Sequence, residues 1–357
     1  MAIAAIAALL FVALRPRTLE GHRVQASAAS PRPASPIAEG ARPAGSKGMR
    51  LFGPKSFWNR RLGDEPIDPS SAALVQELAE EVQRETQSRI GPWIATNISS
   101  TPLYRVGRHQ RSVRVRLDAQ GTPGEAALQK AFAAVPIPGR ARPAAGQDRH
   151  MTIWQPSTDR LWEFWQAHRA SDGWHASWGG AIRGVSRSPG YYTASAWPGA
   201  RRNWGATASS LPVIGGTITV DDMQRGSIRH ALAVALPAPR ARTFAWPAQR
   251  TDGTGGTTAL PEGARLQLDP QLNLDSLRLP PLVRMIAEAA QRYGIVVRDQ
   301  THKGISLFGE DARGARADML HQAFASQTPL ELLSRFPWDR LRVLRMRLCT
   351  KAPCRAG

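Results

Sequence analysis

Apolar positions recur at helical or strand spacing along most of the chain and predict many short strands with few helices. Apolar residues repeat every four positions from Leu74 to Val82, behind a helix-start motif at 68–70, and predict a helix over 69–88. Apolar and charged residues alternate over 113–118, which predicts a strand with one solvated face.

The same criteria give the remaining elements. Further helices are predicted over 124–134, over 280–292 and from Thr328 onward. Further strands are predicted over 150–154, 161–166, 174–183, 190–196, 213–219, 228–236, 295–297 and 305–308. The strands do not alternate regularly with helices, which disfavours a doubly wound sheet. We therefore expect a mainly β fold with peripheral helices, arranged as an antiparallel β-sandwich or jelly roll.

The strongest candidate chemistry lies in a predicted hairpin with aromatic strands. If the turn at 155–159 closes symmetrically, Thr152 pairs with Glu163, and His150 and Glu163 become diagonal neighbours on one face. A histidine and a carboxylate between aromatic walls can form an acid/base pair. The alternatives are a buried structural hydrogen bond, or a one-residue slip that separates the two side chains.

Other polar residues stand in apolar or turn-forming segments. His230 lies on the alternating apolar face 228–236, where it is either a core residue or a catalytic one. Asp252 lies in a Gly/Thr-rich loop, as a site carboxylate or a turn former, and Arg265 can clamp a carboxylate or sulfate. The predicted catalytic residues are His150, Glu163, His230 and Asp252, and the predicted substrate-binding residues are Trp154, Trp165, Tyr192, Arg265, Asp148 and Asp299. We expect His150, Glu163 and His230 to line one concave surface, with Asp252 and Arg265 near its rim.

Tryptophan is concentrated in one part of the chain. Seven of the eleven tryptophans lie between Trp154 and Trp204. Indole faces stack on sugar rings, and they also bury well without any ligand. The segment is therefore either a glycan-binding surface or a core that is rich in tryptophan.

The N-terminal segment predicts export. The unbroken apolar run from Ala2 to Leu14 is shorter than the roughly 17 residues that cross a bilayer, and suits a signal peptide or an anchor. A disordered tail without a targeting role is the alternative. The predicted organisation is a signal peptide or anchor over 1–28, a flexible linker over 29–48, a β-rich domain over 49–312 and a basic helical tail over 313–357. This organisation predicts a secreted, periplasmic or cell-envelope protein with no integral membrane domain beyond an N-terminal anchor.

Charge and cysteine content limit the partners. The net charge is +19, and all but five of the 47 basic residues are arginine. Such a chain attracts anionic partners, although arginine-rich composition also follows from GC-rich coding. Because no motif concentrates the charge, a polyanionic glycan is expected and specific nucleic-acid binding is not. Cys349 and Cys354 either form a disulfide or remain free thiols, and no metal site or cofactor is predicted.

Several motifs resemble a family of uncharacterised secreted proteins of actinobacteria and related GC-rich bacteria. The resemblance covers roughly residues 50–310. The motifs are Ser56-Phe57-Trp58-Asn59, Val135-Pro136-Ile137-Pro138, Trp162-Glu163-Phe164-Trp165, Gly226-Ser227-Ile228-Arg229-His230-Ala231-Leu232, Asp252-Gly253, Gly263-Ala264-Arg265-Leu266-Gln267-Leu268-Asp269-Pro270 and Gln291-Arg292-Tyr293-Gly294 with Asp299. The resemblance implies a single extracytoplasmic domain and no particular activity.

These observations favour a secreted carbohydrate-active enzyme. Hydrolysis of a glycan needs two carboxylates, for which Asp148, Glu163, Asp252 and Asp299 are available. Elimination from a uronate needs a histidine or tyrosine base and a cationic group for the substrate carboxylate. The alternative function is a non-catalytic glycan-binding or cell-envelope protein, and a nucleic-acid-binding protein is a third and weaker hypothesis.

Overall fold

The computed structural model of the chain describes residues 50–119, 121–313 and 315–355. The predicted signal peptide or anchor and the predicted linker, at 1–28 and 29–48, lie outside the described residues. Strands account for 23% of the chain and helices for 22%. The fold is made of several mixed β-sheets with a few helices.

Fifteen strands and six α-helices are described. The strands are β1 (Trp93–Ala95), β2 (Leu103–Arg105), β3 (Val115–Leu117), β4 (Met151–Gln155), β5 (Arg160–Trp165), β6 (His168–Ala170), β7 (Gly173–Ala176), β8 (Trp178–Arg183), β9 (Leu232–Leu236), β10 (Phe244–Ala245), β11 (Arg265–Leu268), β12 (Ile295–Gln300), β13 (Ser306–Phe308), β14 (Leu341–Val343) and β15 (Leu348–Cys349). The helices are α1 (Ser71–Ser88), α2 (Glu125–Ala131), α3 (Val220–Arg225), α4 (Pro281–Arg292), α5 (Ala315–Gln322) and α6 (Pro329–Leu333). The predicted helices at 69–88 and 280–292 correspond to α1 and α4, whereas the segments 190–196 and 213–219 form turns instead of strands.

The largest sheet has six strands in the order β1-β13-β9-β12-β11-β14. It is mixed, because β1 pairs with β13 and β9 pairs with β12 in parallel, while the other neighbours are antiparallel. The apolar face of α4, through Leu282, Val283 and Ile286, is buried in one core with β9, β11 and β12. This packing explains why the spacing of apolar residues over 280–292 predicted the helix correctly.

A second core surrounds the four-stranded sheet β2-β4-β5-β8 and the three-stranded sheet β3-β7-β6. Six of the seven tryptophans in the Trp-rich segment are buried in it, and only Trp165 is partly exposed. The segment therefore forms core and offers little stacking surface. In the described part of the chain no sheet closes into a barrel, and the expected antiparallel sandwich or jelly roll is not confirmed.

The C-terminal segment, expected as a basic tail outside the β-rich domain, is part of the same compact unit. Strand β14 adds to the edge of the six-stranded sheet by pairing with β11. Leu332, Leu333 and Trp338 are buried in the core that contains α4. This role was not evident from the sequence, because the apolar runs of the segment are short and are interrupted by basic residues.

Cys349 and Cys354 form a disulfide next to the two-stranded sheet β10-β15. Across the described ranges, no helix combines the length and apolar character needed to span a bilayer.

Candidate functional site

The aromatic hairpin has the register that the sequence predicts. Strands β4 and β5 are antiparallel, with Thr152 directly opposite Glu163. The backbone of Ala206 lies between His150 and Glu163. The carbonyl oxygen of Ala206 lies 2.9 Å from His150 Nε2, and the N–H of Ala206 donates to Glu163 Oε1 at 2.9 Å. The predicted pair therefore converges, through a third residue.

Both members of this pair are buried beneath the surface. Glu163 is fully buried, His150 is 4% exposed, and the Tyr192 side chain beside Glu163 is 1% exposed. Burial raises the pKa of Glu163 to about 7, against the backbone N–H groups of Ala206 and Val213 that favour its ionised form. Burial also lowers the pKa of His150. The geometry suits a buried anchor for the backbone of Ala206.

The loop that follows Trp204 extends this anchor to a second group of charges. Arg250 donates from Nη2 to the carbonyl oxygens of Gly205 and Thr207, at 3.2 and 2.8 Å. The N–H of Ala208 donates to Asp299 Oδ1 at 3.3 Å. We call residues 205–209 the hub loop, because its backbone joins the buried pair to Arg250 and Asp299.

A β-bulge determines where Asp299 is directed. The pairing between β9 and β12 shifts register between Val297 and Asp299, so Arg298 is the extra residue. The Arg298 guanidinium is buried and donates to the carbonyl oxygens of Val213 and Gly215. The bulge thus turns one charged side chain into the core and leaves its neighbour Asp299 partly exposed.

Asp299 belongs to a cluster of three carboxylates, which we call the carboxylate cluster. One oxygen each from Asp252, Glu262 and Asp299 lies within 4.8 Å of the other two. Asp252 is exposed, Asp299 is partly exposed and Glu262 is fully buried. Neither carboxylate oxygen of Glu262 has a hydrogen-bond partner in the described structure. The cluster is therefore open to solvent at Asp252, whereas the buried carboxyl group of Glu262 lacks hydrogen-bond partners in the described structure.

Burial and mutual repulsion favour the protonated forms of these groups. The pKa of Asp299 is raised to about 7, by burial and by the charges of Asp252 and Asp148, against the nearby Arg298. The pKa of Glu262 is raised well above its ordinary range, by burial and by Asp299. Burial also raises the pKa of Asp252. Three carboxylates this close cannot all ionise at neutral pH, so the cluster holds at least one proton there.

Two residues predicted for the same surface have other partners. His230 Nε2 lies 3.1 Å from Asp222 Oδ2, at the start of α3. Arg265 donates from Nε and Nη2 to the Tyr293 carbonyl oxygen and lies over the Phe57 ring. In the described contacts neither His230 nor Arg265 reaches the carboxylate cluster. His230 is paired with Asp222, and Arg265 donates to the carbonyl oxygen of Tyr293.

The remaining predicted residues divide between the core and the cluster. Trp154 is 2% exposed and is therefore not available for stacking on a ligand. The indole N–H of Trp165 donates to Asp148 Oδ1 at 3.2 Å, and Trp165 is partly exposed. Asp148 acts electrostatically on His150, Asp252 and Asp299. Asp148 therefore lies within electrostatic range of the cluster, and Trp165 contacts Asp148.

Sequence reasoning missed Glu262 and Arg250. Glu262 lies three residues before Arg265, and only Arg265 was predicted to bind a substrate. Arg250 lies two residues before Asp252, and the three cluster carboxylates all act electrostatically on it. No local signal marked Glu262 or Arg250, because the segment 250–262 is rich in glycine and threonine and its charged residues are about as dense as in the chain as a whole.

Two groups of side chains in the described structure can hold a metal ion. The carboxylate cluster offers oxygen ligands, which suit hard cations such as Ca²⁺ or Mg²⁺. The second group, Asp118, His168 and His175, combines one carboxylate with two imidazoles. No family model, curated protein or solved structure matches this chain.

Proposed function

We propose that this protein is a glycan hydrolase and that Asp252, Glu262 and Asp299 form its catalytic centre. The observation that supports the proposal is the convergence of the three carboxylates within 4.8 Å at a partly exposed position. Hydrolysis of a glycosidic bond needs one carboxyl group that carries a proton and one that is ionised. The cluster supplies both states near neutral pH, because its members cannot ionise together.

Exposure distributes the roles within the cluster. Asp299, with a pKa of about 7, is the general acid that protonates the leaving oxygen. Asp252 is exposed, so solvent stabilises its ionised form and it acts as the carboxylate partner. Glu262 keeps its proton, because its burial strongly disfavours the charge and so raises its pKa.

The short separation favours a double displacement. Retaining glycosidases place their two carboxyl groups about 5–5.5 Å apart, whereas inverting enzymes leave about 6.5–9.5 Å for a water. In the proposed first step, an Asp252 oxygen bonds to the anomeric carbon, the glycosidic C–O bond breaks and the Asp299 proton goes to the leaving oxygen. In the second step, Asp299 removes a proton from water, which adds to the anomeric carbon and releases Asp252.

His150 and Glu163 are positioning residues in this proposal. His150 contacts the carbonyl oxygen of Ala206, and Glu163 accepts a hydrogen bond from its N–H. The hub loop in turn contacts Asp299 and Arg250. Arg250 places a partly buried positive charge near the cluster and limits the repulsion among its carboxylates. A displacement of the hub loop would therefore alter the acid without touching the substrate.

Hydrolysis fits the arrangement better than elimination from a uronate. Elimination needs a base and a cation for the substrate carboxylate, and two residues expected in those roles, His230 and Arg265, are engaged elsewhere. Trp165, which is hydrogen-bonded to Asp148, retains exposed surface on which a sugar ring can stack. The net charge of +19 favours an acidic glycan as substrate.

The test is release of new reducing ends from a panel of neutral and acidic glycans by the full chain. We expect turnover of at least one glycan and loss of that turnover in Asp299→Asn and Asp252→Asn. Exposed Asp64 supplies the matched control, and Asp64→Asn should cleave at the wild-type rate. The anomeric configuration of the first product, followed by NMR, should be that of the substrate.

Two outcomes would overturn the proposal. Saturable glycan binding without cleavage of any panel member would indicate the alternative, a non-catalytic glycan-binding or cell-envelope protein. Cleavage that survives both Asp299→Asn and Asp252→Asn would place the catalytic centre outside the cluster.

We also propose that the protein is exported and acts outside the cytoplasm. The apolar run from Ala2 to Leu14, with the small-residue site at 26–28, supports this proposal. Residues 1–48 fused to a reporter that works only outside the cytoplasm should give active reporter. Reporter protein retained in the cytoplasm would contradict it.

A further inference from the structure

The three-stranded sheet β3-β7-β6 places two histidines and an aspartate on one face. His168 and His175 are directly opposite each other in the antiparallel pair β6 and β7. Arg116 is opposite His175 in the parallel pair β3 and β7, and Asp118 lies two residues further along on the same side of the chain. The alternation of side chains along strands therefore assembles a cluster from three separate strands.

Short contacts link these side chains. His175 Nδ1 lies 2.8 Å from Asp118 Oδ1, and His168 Nδ1 lies 3.9 Å from Asp118 Oδ2. The two imidazole rings stack with their centroids 5.3 Å apart. One nitrogen or oxygen from each of the three residues lies within 4.8 Å of the other two. This set is compact enough to surround a single ion.

We propose that Asp118, His168 and His175 bind one divalent transition-metal ion of the zinc type. The inference is independent of the proposed hydrolase function, because the residues of this set contact none of the cluster carboxylates. Two imidazoles and one carboxylate form a ligand set typical of zinc, with a fourth position open to water. Ca²⁺ and Mg²⁺ prefer oxygen ligands and fit this set poorly.

The neighbouring groups match the usual support of a metal-binding histidine. His175 Nε2 lies 2.9 Å from Asp172 Oδ1, so Asp172 accepts the proton of the ring nitrogen that faces away from Asp118. Such a carboxylate–histidine–metal arrangement fixes the ring and increases its basicity. His168 Nδ1 lies 3.1 Å from the carbonyl oxygen of Gln166, which holds that ring in place. Arg116 is paired with Asp172 at 2.8 Å.

Metal binding must release a proton from this set. Without metal, both nitrogens of His175 lie within hydrogen-bond distance of carboxylates that only accept, an arrangement that favours the doubly protonated ring. A metal ion that bonds to Nδ1 replaces the proton there, and this proton goes to the solvent. The Nδ1 to Asp118 distance must open by roughly 0.5 Å, since zinc ligands lie about 2.0–2.1 Å from the ion.

The experiment is a calorimetric titration of the full chain with ZnCl₂ at pH 6.5, in two buffers of different ionisation enthalpy. We expect one saturable equivalent of zinc and release of about one proton. His168→Ala and His175→Ala should abolish that equivalent, and Asp172→Asn should weaken it about 10- to 100-fold. A Co²⁺ absorption spectrum of tetrahedral type should appear in the wild type and be absent from both histidine variants.

Controls separate this set from general chelation. His109 is exposed outside the set, so His109→Ala should bind zinc as the wild type does. If His175→Ala fails to fold, the partly exposed His168 supplies the deciding variant, with circular dichroism as the check on folding. Absence of a saturable equivalent, or zinc uptake that persists in His168→Ala, would overturn the proposal.

Discussion

Two aspartates of this fold, the buried Asp222 and the partly exposed Asp299, have opposite electrostatic environments. Asp222, at the start of α3, is 1% exposed, and its carboxylate contacts His230 at 3.1 Å, Arg225 at 2.6 Å and the N–H of Thr219 at 2.8 Å. Asp299, in the carboxylate cluster, accepts weaker hydrogen bonds from backbone N–H groups and faces two further carboxylates. The carboxylate of Asp222 therefore has cationic and hydrogen-bonding partners within the fold, whereas that of Asp299 faces other carboxylates.

The difference appears in the direction of the pKa shifts. Burial alone would raise the pKa of both aspartates, but His230 and Thr219 reverse the effect at Asp222 and lower its pKa. At Asp299 burial prevails, because Asp252 and Asp148 add to it. Partners rather than burial therefore decide whether a carboxylate stabilises the fold or remains a reactive acid.

The largest expected effect is on catalysis. Asp299→Asn should lower turnover of a cleaved glycan by about 10²- to 10⁴-fold, since a general acid contributes a factor of that size. Asp222→Asn should leave the turnover of the correctly folded fraction unchanged. Steady-state kinetics normalised to folded protein measure both values. Equal losses in the two variants would remove the distinction between the two groups.

The second effect is on stability and has opposite signs in the two groups. Asp222→Asn should lower the free energy of unfolding by about 3–5 kcal/mol, because it leaves His230 and Arg225 without their anion. Asp299→Asn should raise the free energy of unfolding at pH 8 by about 1 kcal/mol, because it removes a disfavoured charge. Urea unfolding at pH 8 tests the pair. A decrease for both variants would show that Asp299 is also a satisfied structural group.

The smallest effect is the pH dependence of the His230 contribution. The folded pKa of His230 is raised, chiefly by Asp222 acting against burial, so its stabilisation is present below about pH 6.5 and lost as the pH rises through the folded value. The lowered pKa of Asp222 sets the other limit: its stabilisation is present above about pH 3.9 and lost as the pH falls through the folded value. The difference in unfolding free energy between wild type and His230→Gln should therefore be largest between about pH 4 and 6.5. A difference that does not change with pH would contradict this pairing.

Local sequence determined the parts of the site that depend on neighbouring residues. The connection between β4 and β5 is short, and its symmetric closure made the pairing of Thr152 with Glu163 predictable. The capping motif at Thr328 likewise predicted α6. Residues within one hairpin or one helix turn have few alternative arrangements, which is why such predictions succeed.

The carboxylate cluster depends on long-range pairing that no local pattern contains. Asp299 enters it through a bulge in β12, and Glu262 enters it from a loop whose backbone bridges to Phe244. His230 was expected at the site because it is an ionisable residue on an apolar face, whereas its partner in the structure is Asp222. The sequence Thr219-Val220-Asp221-Asp222 is a helix cap, and this signal placed a buried acid eight residues before the histidine.

We expect the carboxylate cluster to hold protons at neutral pH, whereas Asp222 stays ionised. A ¹³C NMR titration of the aspartate and glutamate carboxyl groups of the folded chain tests it most directly. We predict an aspartate carboxyl resonance that titrates near pH 7, as the glutamate resonance of Glu163 also does, and that disappears in Asp299→Asn. A second aspartate resonance should stay ionised to acid pH and disappear in Asp222→Asn. Titration of the Asp299 resonance below about pH 5 would contradict this difference between the two aspartates.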